Sequence, residues 1–204
     1  MIDASAAVPM SAENMTASQQ ERRKALTDTV IDMLADMSPD SVQIREVAER
    51  AGVALGTLYR YFPAKQHLMA ASMVAWNARF DASVTGERST RSGSESVLNR
   101  VLEMYARQMN AFHRRPNFAR LEIELQTCAD PYVRDEMDDR AAANRIALFG
   151  LMNGVPPELA RVASLSIGST MLNSLILWTT GRIGFPEALR NVEDVCRLVL
   201  ADYA

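Results

Sequence analysis

The segment Val42 to Lys65, VQIREVAERAGVALGTLYRYFPAK, constrains this 204-residue chain more than any other stretch. Ile44, Val47, Ala48 and Ala51 recur at i, i+3, i+4 and i+7, one apolar stripe on a helix whose other sides carry Arg45, Glu46, Glu49 and Arg50. Gly52 stands where the stripe ends, and only a residue tolerant of positive φ closes a helix so tightly. The chain restarts at Ala54 with Leu58 and Phe62 as inward positions, and Pro63 stops the second helix. The rest of the chain reads as built to place, pair and regulate this helix–turn–helix.

On the outward face of the second helix the pattern leaves Leu55, Gly56, Thr57, Tyr59, Arg60 and Tyr61. A helix–turn–helix that reads DNA presents there its contacts to base edges and phosphates. Gly56 costs a helix roughly 1 kcal/mol against Ala, and close approach of its backbone to a DNA groove supplies a reason for it. Thr57, Tyr59, Tyr61 and Lys65 carry donors suited to phosphate oxygens.

The run AxxAGVAxGTLYRYFxxKxxL, Ala48 to Leu68, resembles the N-terminal domain of TetR-family transcriptional regulators over its full length. The resemblance implies that Arg45 reaches a base, that Leu55, Gly56 and Tyr59 lie in the major groove, and that Thr57, Tyr61 and Lys65 hold phosphates. Two departures fall off the DNA face. Val42 or Gln43 stands where the family has a capping Thr or Ser, and Ser38-Pro39 replaces a Gly-aromatic pair. Within the family the chain resembles most the actinobacterial repressors of sterol and lipid catabolism, through QxERRK at Gln19 to Lys24 and through Asn173 to Trp178. That likeness implies a lipid-derived acyl or sterol effector, coenzyme A thioesters included.

Composition decides less. Net charge is −3 with a pI near 5.5, and residues 19–66 carry seven Lys/Arg against seven Asp/Glu. Any DNA footprint must therefore come from placement, with Arg22, Arg23 and Lys24 at the first helix and Arg45, Arg60 and Lys65 at the reading face. Cys128 and Cys196 lack metal or disulfide spacing, as expected in a reducing cytoplasm. The opening stretch has no basic n-region followed by an apolar core.

Three units are expected: a flexible tail over 1–18, a DNA-binding domain over 19–66 and a ligand-binding and dimerisation domain over 67–204. Ser18 is the candidate N-cap of a first helix bearing Leu26, Val30, Met33, Leu34 and Met37. A long helix from Lys65 ends before the loop Gly86 to Ser94, and Pro116, Asp130-Pro131 and Pro156-Pro157 divide the C-terminal half into further helices. Val162 to Gly181 contains no charge, yet its Ser, Thr and Asn content argues for a buried soluble helix over a membrane span. Leu189, Val192, Cys196, Val199 and Tyr203 come next at heptad-like spacing. Two such helices exceed what one monomer can cover and imply a partner; the family resemblance makes that a homodimer through residues 157–203. With no alternating stretch, the fold expected is all-α.

Catalysis finds no support, because His67 and His113 lie far apart in sequence with no matching nucleophile. The acidic cluster Asp130 to Asp139 reads as a solvated face, and no metal or cofactor is expected. Twelve methionines among many aromatics suit an adaptable apolar cavity. Its candidate lining is Met73, Trp76, Phe80, Tyr105, Met109, Phe112, Leu121, Leu125, Phe149, Met171, Leu175 and Trp178. Asn110, Gln126, Asn144, Asn173 and Arg107 are candidates to orient a ligand. The leading expectation is a ligand-responsive repressor on a palindromic double-stranded DNA operator. The competing readings are a ligand-independent helix–turn–helix regulator and, from another class, a small helical enzyme or scaffold.

Overall fold

A computed structural model describes residues 15–88 and 95–204, with side chains described for 15–79 and 95–204. Among these the chain is α-helical with short 3-10 turns and no strand. Helix α1 spans Ala17–Met33, α2 Ile44–Arg50, α3 Leu55–Tyr61, α4 Lys65–Arg88, α5 Val97–Arg114, α6 Pro116–Gln126, α7 Pro131–Leu151, α8 Pro157–Thr179 and α9 Phe185–Val199. Most of the tail expected over 1–18 lies outside the described residues.

Helix α1 starts earlier than Ser18 suggests. Thr16 is the N-cap, and it forms a capping box with Gln19: the Thr16 N–H donates to Gln19 Oε1 at 2.8 Å and the Gln19 N–H to Thr16 Oγ1 at 3.4 Å. Ser18 and Glu21 offer the same spacing. The earlier box prevails because it lets Met15, 7% exposed, seat on the core immediately before the cap. Helix α4 also runs through Gly86 to Arg88 instead of stopping before Gly86.

Prolines that look like helix breakers in sequence act here as first residues. Pro116, Pro131 and Pro157 open α6, α7 and α8, where the missing N–H has no intrahelical partner to lose. Asp130 caps α7 by accepting from the N–H groups of Tyr132 and Val133 at 2.9 and 3.3 Å.

Leu26, Val30, Leu34, Val47 and Leu58 are fully enclosed and tie α1, α2 and α3 into one core. Helix α4 leaves it carrying Leu68, Met69 and Met73 inward, packs on α1, and then runs along α6 and α7. Trp76 of α4 stacks on Phe118 of α6 with ring centres 4.4 Å apart, and Phe112 closes the cluster at 5.3 Å. At the far end His113 of α5 stacks on Phe185 at 3.9 Å, with Trp178 edge-on to both rings.

Helices α8 and α9 form the most extensive helix pair. By length and apolarity α8 is long enough to cross a membrane, and only 22% of its most apolar 18-residue window is buried. Its inner stripe, Ala160, Ala163, Ile167 and Leu175, is enclosed, whereas Val162 and Leu165 face outward. In the heptad-like stripe of α9, Val192 and Cys196 belong, with Ala188, to the protomer's own core, while Leu189, Val199 and Tyr203 are half-buried; outside the stripe, Leu198 is 76% exposed.

Candidate nucleic-acid interface and effector site

The turn between α2 and α3 is closed by two main-chain bonds. The Val53 N–H donates to Ala48 O at 2.9 Å and the Gly52 N–H to Glu49 O at 3.1 Å. Gly52 adopts φ +65°, so this is a Schellman closure that fixes the angle between the helices. Helix α2 itself begins at Gln43 without a side-chain cap. The preceding 3-10 turn, Pro39–Ser41, is held instead by Lys65, whose Nζ donates to Asp40 O at 3.0 Å.

With Leu58 pinned inward, Gly56, Tyr59 and Arg60 are exposed and Leu55 and Thr57 half-buried. Arg45 is exposed on α2, and among the described residues neither it nor Arg60 forms an ion pair. An open groove of about 620 Å³ runs between the two helices, lined by Val42, Gln43, Ile44, Arg45, Glu46, Glu49, Leu55, Tyr59 and Lys65. A Cβ built on Gly56 meets nothing within 4 Å. The protein's own packing therefore gives no reason for glycine at that helical position.

One residue of the expected outward face is misplaced by sequence reasoning. Tyr61 is 2% exposed: it lies three positions after Leu58 and shares its inward face, as α-helical geometry requires. The basic run on α1 is also less available than its sequence suggests. Lys24 pairs with Asp28 at 2.6 Å, and Arg23 lies over the Phe62 ring and 3.8 Å from Glu136 of α7. Arg22 remains exposed.

Among the candidate lining residues of the C-terminal helices, Met73, Tyr105, Met109, Phe112, Leu121, Leu125 and Leu175 are buried, and Trp76, Met171 and Trp178 are half-buried beside them. Phe80 lies outside the described side chains. Phe149 is corrected: at 39% exposure it shares the outer surface of α7 with Ile146, since the inner face of that helix is taken by Val133, Met137 and Leu148. Leu175, by contrast, is fully enclosed in the protomer core, as a lining residue must be.

Two polar constellations escape sequence reading. Glu122 of α6 and Arg140 of α7 form an ion pair at 2.5 Å, with side-chain exposures of 7% and 8%. Gln126 Nε2 donates to the same Glu122 oxygen at 3.0 Å. In sequence Glu122 is one acid in a charged stretch, and only the packing of α6 on α7 encloses it. Second, His67, two residues beyond Lys65, bonds Asp130 Oδ1 through Nε2 at 3.0 Å and packs on Tyr132. This clasp ties the start of α4 to the start of α7. Partial burial raises the Asp130 pKa, but the His67 bond and the N–H groups of Val133 and Tyr132 outweigh it and hold the carboxyl below its ordinary value.

Near the head, Glu124 of α6 lies in the field of Asp40 and Lys65; burial and the Asp40 charge raise its pKa while Lys65 opposes them. Burial also pushes the Cys196 thiol up to about 12, so it stays protonated and unreactive. Among the described residues no three His, Cys, Asp or Glu side chains converge as metal ligands.

Residues 26–72 match the family described as bacterial regulatory proteins, tetR family. Over 185 residues the chain is 29% identical to the HTH-type transcriptional repressor KstR of Mycobacterium tuberculosis, covering 90% of this chain and 83% of that protein. It is 28% identical to KstR of Rhodococcus jostii, with coverage of 90% and 85%. In three dimensions it superposes on a TetR transcriptional regulator from Rhodococcus sp. RHA1 with a TM-score of 0.76 and 27% identity, covering 93% of this chain and 100% of that one. The head matched in sequence and the whole-chain match in architecture agree: residues 26–72 form a tetR-family N-terminal domain, and the chain as a whole is similar to TetR-type transcriptional regulators.

Proposed function

We propose that this protein is a homodimeric, cytoplasmic repressor that leaves a palindromic DNA operator when a hydrophobic effector occupies its C-terminal helices. The head is the unit over 19–66, and effector binding and dimerisation belong to 67–204. The observation that carries the reading is α3, held by Leu58 while it turns Gly56, Tyr59 and Arg60 outward above a groove flanked by Arg45. Leu55 and Gly56 meet base edges apolarly, Arg45 reads a base, and Thr57, Tyr59 and Lys65 take phosphates. Tyr61 supports this face from beneath. The KstR relatives are repressors by name, which supports the sign of the response.

The dimer face is the outer side of α8 and α9, where Val162, Leu165 and Leu198 are exposed. The buried aromatic and methionine side chains between α4, α5, α6 and α8 suit a lipid acyl chain or sterol ring system, burial of which is favourable by about 25 cal/mol per Å². Control is a two-state linkage: an effector that prefers the form whose heads do not match successive major grooves weakens DNA binding by that preference and no more. Fluorescence anisotropy on DNA from the gene's own upstream region tests this. Wild-type protein is expected to bind with a steep salt dependence, and Tyr59→Ala to lose about 1–3 kcal/mol of affinity with its helical content intact. Binding indifferent to both DNA sequence and this substitution overturns the reading.

A further inference from the structure

The ion pair between α6 and α7 stops one hydrogen bond short of completion. An arginine and a carboxylate usually join through two parallel bonds. Here Arg140 Nη2 and Gln126 Nε2 both donate to Glu122 Oε1. Glu122 Oε2 and Arg140 Nε are both buried, and neither meets a hydrogen-bond partner within the protein. One is an acceptor, the other a donor, and both side chains are more than nine-tenths enclosed. Buried polar groups of this kind are almost always satisfied, and leaving two on one pair is costly.

Glu122 lies on the inward face of α6 between Phe118 and Leu125, with Trp76 of α4 stacked on Phe118. An apolar molecule lodged among these side chains would reach the two atoms with one end. The chemistry of that end is narrow. A carboxylate has no proton for Oε2, and a carboxylate or a phosphate would add negative charge beside Glu122. An ammonium cannot accept from Nε–H, and a ketone cannot donate to Oε2. A hydroxyl does both.

We infer that Glu122 and Arg140 form the polar end of the effector site and select a hydrophobic molecule whose buried terminus is an alcohol. This rests on the effector being hydrophobic, as proposed above, and adds the group that gives it direction. Gln126 is a positioning residue, since it holds Oε1 and so leaves Oε2 to the ligand.

The test uses three probes that differ at one atom: cholestanol, its ketone cholestanone and the hydrocarbon cholestane, each delivered in cyclodextrin to the full-length protein. Binding is read by tryptophan fluorescence and melting temperature. The alcohol is expected to bind at least about tenfold tighter than either analogue, because a site built to pair a hydroxyl rejects molecules lacking it. In Glu122→Gln an amide N–H replaces the acceptor, so the preference should shift from alcohol to ketone, which mere loss of stability would not produce. If the three probes bind wild-type protein within about threefold of one another, the hydroxyl assignment falls while the hydrophobic-effector reading stands. If none of the three binds while a long-chain acyl-coenzyme A does, this inference falls and the hydrophobic-effector reading stands; if that thioester does not bind either, both fall. The wild-type ratios decide the matter even if Glu122→Gln does not fold.

Discussion

The head and the α8–α9 pair solve the same problem differently. Both are built from amphipathic helices, yet the head buries its apolar stripes within a few turns of chain. Among the described residues it exposes one large hydrophobic side chain, Tyr59, on the face proposed for DNA. The α8–α9 pair buries one stripe of each helix and leaves Val162, Leu165 and Leu198 outside, with Ile146 and Phe149 of α7 also exposed. Under the proposed function the head is a finished unit whose exposed face meets DNA, and the C-terminal pair is half of an interface, which would make its stability and its association linked properties.

The contrast can be broken at its two extremes. Leu26→Ala, in the enclosed core of the head, is expected to cost about 2–5 kcal/mol of folding stability, read as a lowered denaturation midpoint independent of protein concentration. Leu198→Glu should leave protomer folding nearly unchanged and weaken self-association by about 2 kcal/mol or more, read by sedimentation across a concentration series. If Leu198→Glu sediments as wild type, α9 does not carry the dimer face.

A smaller effect sharpens the boundary between the regions, which the His67–Asp130 clasp spans. Asp130→Ala removes the α7 cap and should cost about 1 kcal/mol; Asp130→Asn keeps a capping acceptor and loses only the charge. The folded pKa of Asp130 is depressed. Its contribution is therefore complete above the unfolded carboxyl value and lost as pH falls through the folded one. Urea titrations down that acid range should show a shallower decline in both variants than in wild type, and an unchanged slope would count against the clasp.

The smallest effect separates folding from function within the head. Gly56→Ala should raise stability by about 0.5–1 kcal/mol, since the added Cβ meets nothing within 4 Å and alanine is the better helix former. The same methyl should weaken operator binding if the backbone approaches the groove closely. A variant that is more stable and binds DNA as wild type would remove the functional reason given for this glycine.

Local order was legible in the residues. The stripe from Ile44 to Ala51, the glycine stop at Gly52 and the uncharged run in α8 are periodic or compositional signals, and a helix obeys them before it meets a neighbour. The resemblance of Ala48 to Leu68 carried the same information to the family. Burial at single positions was not legible in the same way. Tyr61 could have been placed inward by its spacing from Leu58, but Phe149 left its expected place in the lining because only packing between helices decides which of two apolar faces a partner helix covers. The Glu122–Arg140 pair and the His67–Asp130 clasp join residues 18 and 63 positions apart. No local pattern couples charges across such separations; the approach of α6 to α7, and of α4 to the start of α7, does so by removing water from between them.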